Sequence, residues 1–493
     1  MSNSSHLGAK IRKGSMWLLA GNTGSQVLRF FAGIVLARIL VPEEFGMVAT
    51  IQIFTGLAGF VAGSGMGQAL VRAKEVTAKD YEVVFTLQSI ICCTIYAGFY
   101  LAAPWFAKWY NTPQYADLLR VAALSFVVRP FASLPSSILT RDMRFKEQSR
   151  TRIIVLLFSS TVSIGMAFAG YGVWSLILGG VAGSVANALL LIPLTAWRPA
   201  FRLNLRRGRT IARYGVLVSA TDILNYIQTQ VSLFMLSHAL GPASVGLYNK
   251  GESLARMPHS FVTGSVYQAV FRAMASQQEN LDTCRYLFFR SLGLVAVYTT
   301  PFYIGLLWLS EPLVRGVYGP NWVGASAPLF VLSCAWPFWL IANLSGAVLA
   351  AKNWLGREIP VQIYTLIVTL FAVSIGLKYG VTGVAIAIVA SAVYNALHMY
   401  TLAIRCLRAN WLGGLKTFTP AVILNVILAG ALFLFNYAAP PGLLVNDLVH
   451  VTLMGILGAI AYTLFFLYLP IPSLQSERQR WKVKLRLSHK TFS

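Results

Sequence analysis

The 493-residue chain is 56% hydrophobic and only 11% charged, with 40 Lys and Arg against 16 Asp and Glu. An ordinary soluble domain carries about 25% charged residues, so no soluble fold could hide this apolar surface. The formal net charge of +24 is scattered over short connections between apolar runs, which argues against a nucleic-acid partner and for a membrane protein.

In chain order, Lys10, Arg12 and Lys13 precede an apolar stretch, but Asn22, Gln26 and Arg29 interrupt any cleavable core, so the segment reads as a first span rather than a signal peptide. Apolar runs of spanning length, broken by polar or Pro/Gly turns, predict an all-α polytopic membrane protein of about 14 helices. They lie at 15–37, 44–70, 81–106, 114–137, 151–169, 172–194, 210–236, 243–270, 286–309, 324–350, 358–377, 381–404, 417–436 and 446–469. The short alternating runs of an outer-membrane barrel are missing. Cys92, Cys93, Cys284, Cys334 and Cys406 have neither metal-ligand nor redox spacing and read as apolar filler.

Basic residues fall into alternate connections. One side receives Lys10 to Lys13, Arg72 to Lys79, Arg141 to Arg152, Arg198 to Arg213, Arg272 to Arg290, Lys352 and Arg357, Arg405 to Lys416, and a tail from Arg478 to Lys490. The other side holds little more than Arg38, Lys108, Arg315 and Lys378. Short basic loops stay in the cytoplasm, so both termini are expected there. Trp481, Val483, Leu485 and Leu487 interleave the basic tail, which suits anionic lipid headgroups.

The chain also matches itself. Leu36, Leu40, Pro42, Gly46, Gln68 and Arg72 align without gaps on Leu236, Leu240, Pro242, Gly246, Gln268 and Arg272. Later in each half Pro104, Tyr110, Tyr171, Gly172 and Asn187 align on Pro312, Tyr318, Tyr379, Gly380 and Asn395. The expected organisation is an N-lobe at 1–200, a C-lobe at 201–409, an accessory helix pair at 410–470 and a basic tail at 471–493. Two six-helix repeats of the same orientation belong to transporters that work about a central site.

Ionisable groups inside a membrane cost about 2.5 kcal/mol or more at the centre, so they face a cavity or a partner. Asn22, Gln26 and Arg29 share one face of the first span, and Asn249, Glu252, Arg256 and His259 share one face of the eighth, with Lys250 beside them. Arg29, Lys250 and Arg256 are therefore candidate phosphate contacts; the competing reading pairs Arg256 with Glu252 one turn away and lets Arg29 snorkel. Asp222 accepts a proton or Na⁺ or neutralises an arginine, and Glu252 has the same choice. Asp117 and Arg120 are spaced for an intrahelical pair, while Arg129, just before Pro130, is deep enough to line a cavity floor. His238, His259 and His398 share no metal spacing and read as solitary polar groups. Gly56, Gly59, Gly63, Gly65 and Gly67 crowd the second span and Gly179, Gly180 and Gly183 the sixth, which permits close helix approach. No Walker pattern and no cofactor motif occurs.

Gly14, Ser15 and Trp17, then Arg38, Leu40, Pro42, Phe45 and Gly46, together with Leu139 to Phe145, Tyr171 to Trp174 and Gly241 to Lys250, resemble the polysaccharide transporters of the Wzx type. These form a branch of the multidrug/oligosaccharidyl-lipid/polysaccharide exporter superfamily that includes colanic-acid and other exopolysaccharide exporters. The resemblance implies MATE-like V-shaped lobes, no enzymatic activity, and flipping of an undecaprenyl-pyrophosphate-linked oligosaccharide toward the periplasm for exopolysaccharide or O-antigen synthesis. It also implies cationic cavity residues, for which Arg29, Lys250 and Arg256 are the matching candidates. Coupling to H⁺ or Na⁺ and cooperation with a polymerase and other assembly proteins are further expectations. A small-molecule or drug antiporter is the alternative on the same architecture, although its cavity would favour acidic and aromatic groups. An integral-membrane glycosyltransferase or ligase would need convergent acids on larger loops than this chain has.

Overall fold

The computed structural model describes residues 2–63, 65–73, 75–202, 204–277, 279–438 and 446–485; the side chains of 2–16, 18–20, 205–222, 224, 260–265 and 415 lie outside that description. Among the described residues there are helices and turns and no strand.

The chain forms two compact units, 1–246 and 247–493. The first contains α1 (Ser2–Ile39), α2 (Pro42–Gly63), α3 (Met66–Arg72), α4 (Ala78–Trp109), α5 (Gln114–Arg141), α6 (Phe145–Phe168) and α7 (Val173–Leu191). Next comes α8 (Leu205–Ser276), two helical stretches joined at Gly241, whose φ of 76° is open to glycine but strained for L side chains. The second unit continues with α9 (Leu281–Trp308), α10 (Ser310–Tyr318), α11 (Ser326–Ser333), α12 (Trp336–Ala351), α13 (Leu355–Gly376) and α14 (Gly380–Leu407). It ends with α15 (Gly413–Ala438), α16 (Asp447–Tyr468) and α17 (Gln475–Lys484).

Ten of the described helices are long and apolar enough to cross a membrane, or eleven if α11 and α12, bent by 49°, form one broken span with the turn before them. The chain is thus a multi-pass membrane protein. That count differs from the expected 14 because the predicted spans 358–377 and 381–404 run on as one apolar stretch, Leu355–Leu407. The expected spans in α1 and in α8 run over residues whose side chains lie outside the description, and within α8 the stretch that qualifies among the described residues is Asn225–His259.

Local chemistry sets the helix ends. Thr77 caps α4 in a reciprocal box with Asp80, whose carboxylate accepts from the Thr77 backbone N–H at 2.9 Å. Asn280 accepts from Thr283 N–H at 3.0 Å to start α9, and Asn446 starts α16 in the same way. Pro42 opens α2, where its missing N–H costs nothing.

In the first unit Met47 and Ile51 of α2 pack with Tyr115, Leu118 and Leu119 of α5 and Val173 and Ile177 of α7. In the second, Phe288 and Leu292 of α9 pack with Trp336 and Leu340 of α12 and Tyr400 of α14. Between helices in lipid, van der Waals fit and not water exclusion does most of the work, and small residues let backbones approach. A Cβ added at Gly179 would lie 1.8 Å from Ser163 Oγ and one at Gly183 2.8 Å from Ser159 Cβ, so α6 and α7 touch along a Gly/Ser seam. Cys92, Cys284 and Cys406 are buried, as apolar filler should be, whereas Cys93 and Cys334 are exposed.

Candidate functional site in the first unit

The glycines of α2 do not all serve helix contact. A Cβ at Gly59 would stand 2.9 Å from Arg129 Nη1 and one at Gly63 3.5 Å from Nη2, so the bare face of α2 seats the arginine side chain from α5. Gly56 makes the same room for the Tyr226 hydroxyl, 2.1 Å from where its Cβ would be. That hydroxyl donates to the carbonyls of Gln52 at 2.9 Å and Ile53 at 3.1 Å. Replacing Tyr226 by Phe should lower stability by about 1 kcal/mol, the net worth of one such bond, read as a fall in the thermal midpoint of the detergent-solubilised protein.

Arg129 opens into a cavity of about 410 Å³ lined also by Gln52, Thr55, Ser125, Ser184 and Asn187. Among the described residues no Asp or Glu forms an ion pair with it. Within the 28-residue helix α5 it sits roughly 22 Å from one end and roughly 18 Å from the other at the α-helical rise, near the middle of a helix long and apolar enough to span a membrane. Pro130, immediately after it, lies inside α5; proline cannot donate to the carbonyl four residues back, here that of Phe126 in the cavity wall. The cavity is therefore a single positive charge ringed by neutral hydrogen-bonding groups, the chemistry of an anion site with hydroxyl-bearing surroundings. In the register that pairs Tyr171 with Tyr379, Arg129 falls on Pro337, so the cation is not duplicated. Asn395, the counterpart of the cavity residue Asn187, contacts Thr365 Oγ1 at 3.4 Å within the second unit.

The other expected contacts are placed differently. Asn22, Gln26 and Arg29 are all exposed on α1. Asn22 accepts a hydrogen bond from Arg152 of α6, a partner that the sequence pattern did not single out. In the second unit Arg256 donates to Glu252 at 2.8 Å and stacks over Trp339 at 4.9 Å, so both charges of that stripe are engaged within the turn. Lys250 lies over the rings of Tyr318 and Trp322, 5.0 and 5.4 Å from their centroids, an aromatic seat for an ammonium. The side chain of Asp222 lies outside the described residues.

Asp117 and Arg120 form the intrahelical pair, at 3.4 Å. His238 is not solitary: its Nδ1 accepts from Trp109 Nε1 at 2.8 Å, and the neighbouring Ser237 and Tyr110 hydroxyls meet at 3.0 Å. His398 lies against Tyr394, ring centroids 4.1 Å apart and planes tilted by 34°. No cluster of metal ligands occurs among the described residues.

Comparison with known proteins adds relatives and folds. The chain is 25% identical to the succinoglycan biosynthesis transport protein ExoT of Rhizobium meliloti (strain 1021) over 68% of its own length. It spans 65% of that relative. It is 22% identical to the lipopolysaccharide biosynthesis protein WzxC of Escherichia coli (strain K12), over 75% of this chain and 76% of that one. Among solved structures, the lipid II flippase MurJ in an inward closed conformation superposes with a TM-score of 0.76 at 16% identity, covering 91% of this chain and 98% of MurJ. An inward-facing multidrug resistance MATE transporter superposes with a TM-score of 0.61 at 15% identity, over 78% and 94% of the two chains. These likenesses carry the fold alone. The family described as polysaccharide biosynthesis protein matches residues 35–327, more than half of the chain, and the chain belongs to that family.

Proposed function

We propose that the protein is a transporter and not an enzyme, and that it flips a lipid-linked, anionic oligosaccharide across the bacterial inner membrane for exopolysaccharide or lipopolysaccharide assembly. The observation that carries the proposal is Arg129, a guanidinium midway along a spanning helix that has no acidic partner among the described residues, in a cavity of neutral hydrogen-bonding groups. Such a charge costs about 2.5 to 3.5 kcal/mol on insertion scales, and an anionic passenger offsets that cost. Family membership and the transport role named for the succinoglycan relative support the same reading.

By alternating access, the cavity holding Arg129 faces first the cytoplasm and then the outer side. An undecaprenyl-pyrophosphate-linked glycan brings negative charge in with it, and each charge moved outward gains ~2.3 kcal/mol per 100 mV. Exposed Arg29, with Asn22 and Gln26, is assigned as a further substrate contact. Lys250 and Arg256 join only by leaving their aromatic and carboxylate partners. Glu252 and Asp222 are the candidate groups for coupling to H⁺ or Na⁺ on the return of the empty carrier. A polysaccharide polymerase is the expected partner on the outer side.

The test is reconstitution of the full chain in proteoliposomes carrying a fluorescent undecaprenyl-pyrophosphate oligosaccharide in both leaflets. Protein-dependent access of the inner-leaflet pool to a membrane-impermeant glycosidase is the expected result. If only cationic dyes are moved, the flippase reading fails and the antiporter alternative replaces it.

A further inference from the structure

A second cavity, of about 390 Å³, lies at the end of the second unit where α9 and α15 begin. Its walls are Tyr286, Phe289, Arg290, Gly293 and Leu294 of α9, Lys416, Thr417 and Pro420 of α15, and Ser473 and Leu474 before α17. A Cβ at Gly293 would meet Thr417 Cγ2 at 3.0 Å and Thr417 O at 3.1 Å, so the two helices close against each other there, and both residues border the cavity.

Two cations line it and they differ in their ties. Arg290 is anchored: it donates to Ser473 O at 2.8 Å and Ser476 Oγ at 3.0 Å and lies 3.6 Å from Glu477. Glu477 is shared with Arg480 at 3.8 Å, so one carboxylate serves two arginines. Lys416 is exposed, and among the described residues no carboxylate pairs with it. The pocket therefore keeps a surplus of positive charge. Farther along α15 Val422, Ile423 and Val426 are exposed, an apolar surface suited to hydrocarbon. A basic pocket at a span end, continuous with an apolar helix face, matches a molecule with an anionic head and acyl chains.

We propose that this cavity holds the headgroup of an anionic phospholipid of the surrounding bilayer, with Lys416 and Arg290 on the phosphate and the acyl chains along α15. Because α15 and α16 lie outside the duplicated repeats, the lipid joins this helix pair to α9 of the second repeat. The site is separate from the Arg129 cavity, and the proposal stands or falls independently of the transport reading.

The experiment is native mass spectrometry and thermal unfolding of the full chain in nanodiscs of phosphatidylcholine with or without phosphatidylglycerol. Phosphatidylglycerol should be retained through mild activation and should raise the unfolding midpoint. Lys416→Glu should weaken retention by about fivefold or more, the worth of one cation near a lipid surface. Lys416→Arg should keep it, and Lys378→Glu, on a different connection, should leave it unchanged. Equal retention of phosphatidylcholine, or a Lys416→Glu protein that binds like wild type, would overturn the proposal. So would displacement of the lipid by inorganic phosphate, which would mark a soluble-anion site, or preferential displacement by a polyprenyl phosphate.

Discussion

Replacing Arg129 with leucine should raise the thermal midpoint of the protein while lowering oligosaccharide flipping by about 10- to 100-fold, the loss expected when a charge-assisted hydrogen bond of about 1.5 to 3 kcal/mol is removed. The opposite signs follow from one fact. A cation at mid-helix of α5 that no acid among the described residues neutralises is a burden on the empty protein, so removing it relieves the fold. The same cation is the charged group of the cavity that Gln52, Thr55, Ser125, Ser184 and Asn187 complete, so removing it leaves an anionic passenger uncompensated. Arg129→Lys should fall between wild type and leucine, because it keeps the charge and loses the planar fork. Gly59→Ala is the second arm: its Cβ would stand 2.9 Å from Nη1 and should shift the guanidinium, lowering transport while the charge itself is retained. A fall in midpoint on Arg129→Leu, with transport unchanged, would show that the arginine serves the fold and not the passenger.

How far these features were legible in the sequence depends on whether their signal is local. Apolar runs and the Glu252–Arg256 spacing are local, and the helices and the intrahelical pair stand where such patterns place them. Arg129 was readable as a cavity residue because its depth in a span follows from counting. Its seat was not, since the glycines of α2 looked like a helix-packing stripe and only the fold shows that two of them face a side chain of α5. The aromatic seat of Lys250 draws on Tyr318 and Trp322, far along the chain, and no periodicity announces it. Arg152 reaching Asn22 and Trp109 reaching His238 are long-range contacts of the same kind. Periodicity reports which residues share a face; it is silent about what that face meets.

Gly46→Ala and Gly246→Ala should each destabilise the protein by more than the 1 to 3 kcal/mol typical of overpacking, leaving little folded material at growth temperature. The duplicated pair Pro42/Gly46 and Pro242/Gly246 meets reciprocally inside the first unit. A Cβ on Gly46 would lie 1.7 Å from the carbonyl oxygen of Pro242, and a Cβ on Gly246 would lie 1.9 Å from that of Pro42. Gly246 N also approaches the Gly46 position at 3.0 Å. The obstacle on both sides is backbone, which cannot turn aside as a side-chain tip can, so residues 42–46 and 242–246 would have to separate. Thr50, buried one turn beyond Gly46 with its hydroxyl donating to Gly46 O at 2.9 Å, ties this contact into the core of α2. Gly98→Ala in α4 is the control, because nothing lies within 4 Å of its added methyl; it should be neutral or slightly stabilising through helix propensity. Yields and thermal midpoints of the three variants decide the matter: if Gly46→Ala and Gly246→Ala matched Gly98→Ala, the backbone contact would not be as close as described. If instead both fail, the sequence duplication has a direct physical reason at these positions, since each copy supplies the glycine against which the other copy's proline carbonyl rests.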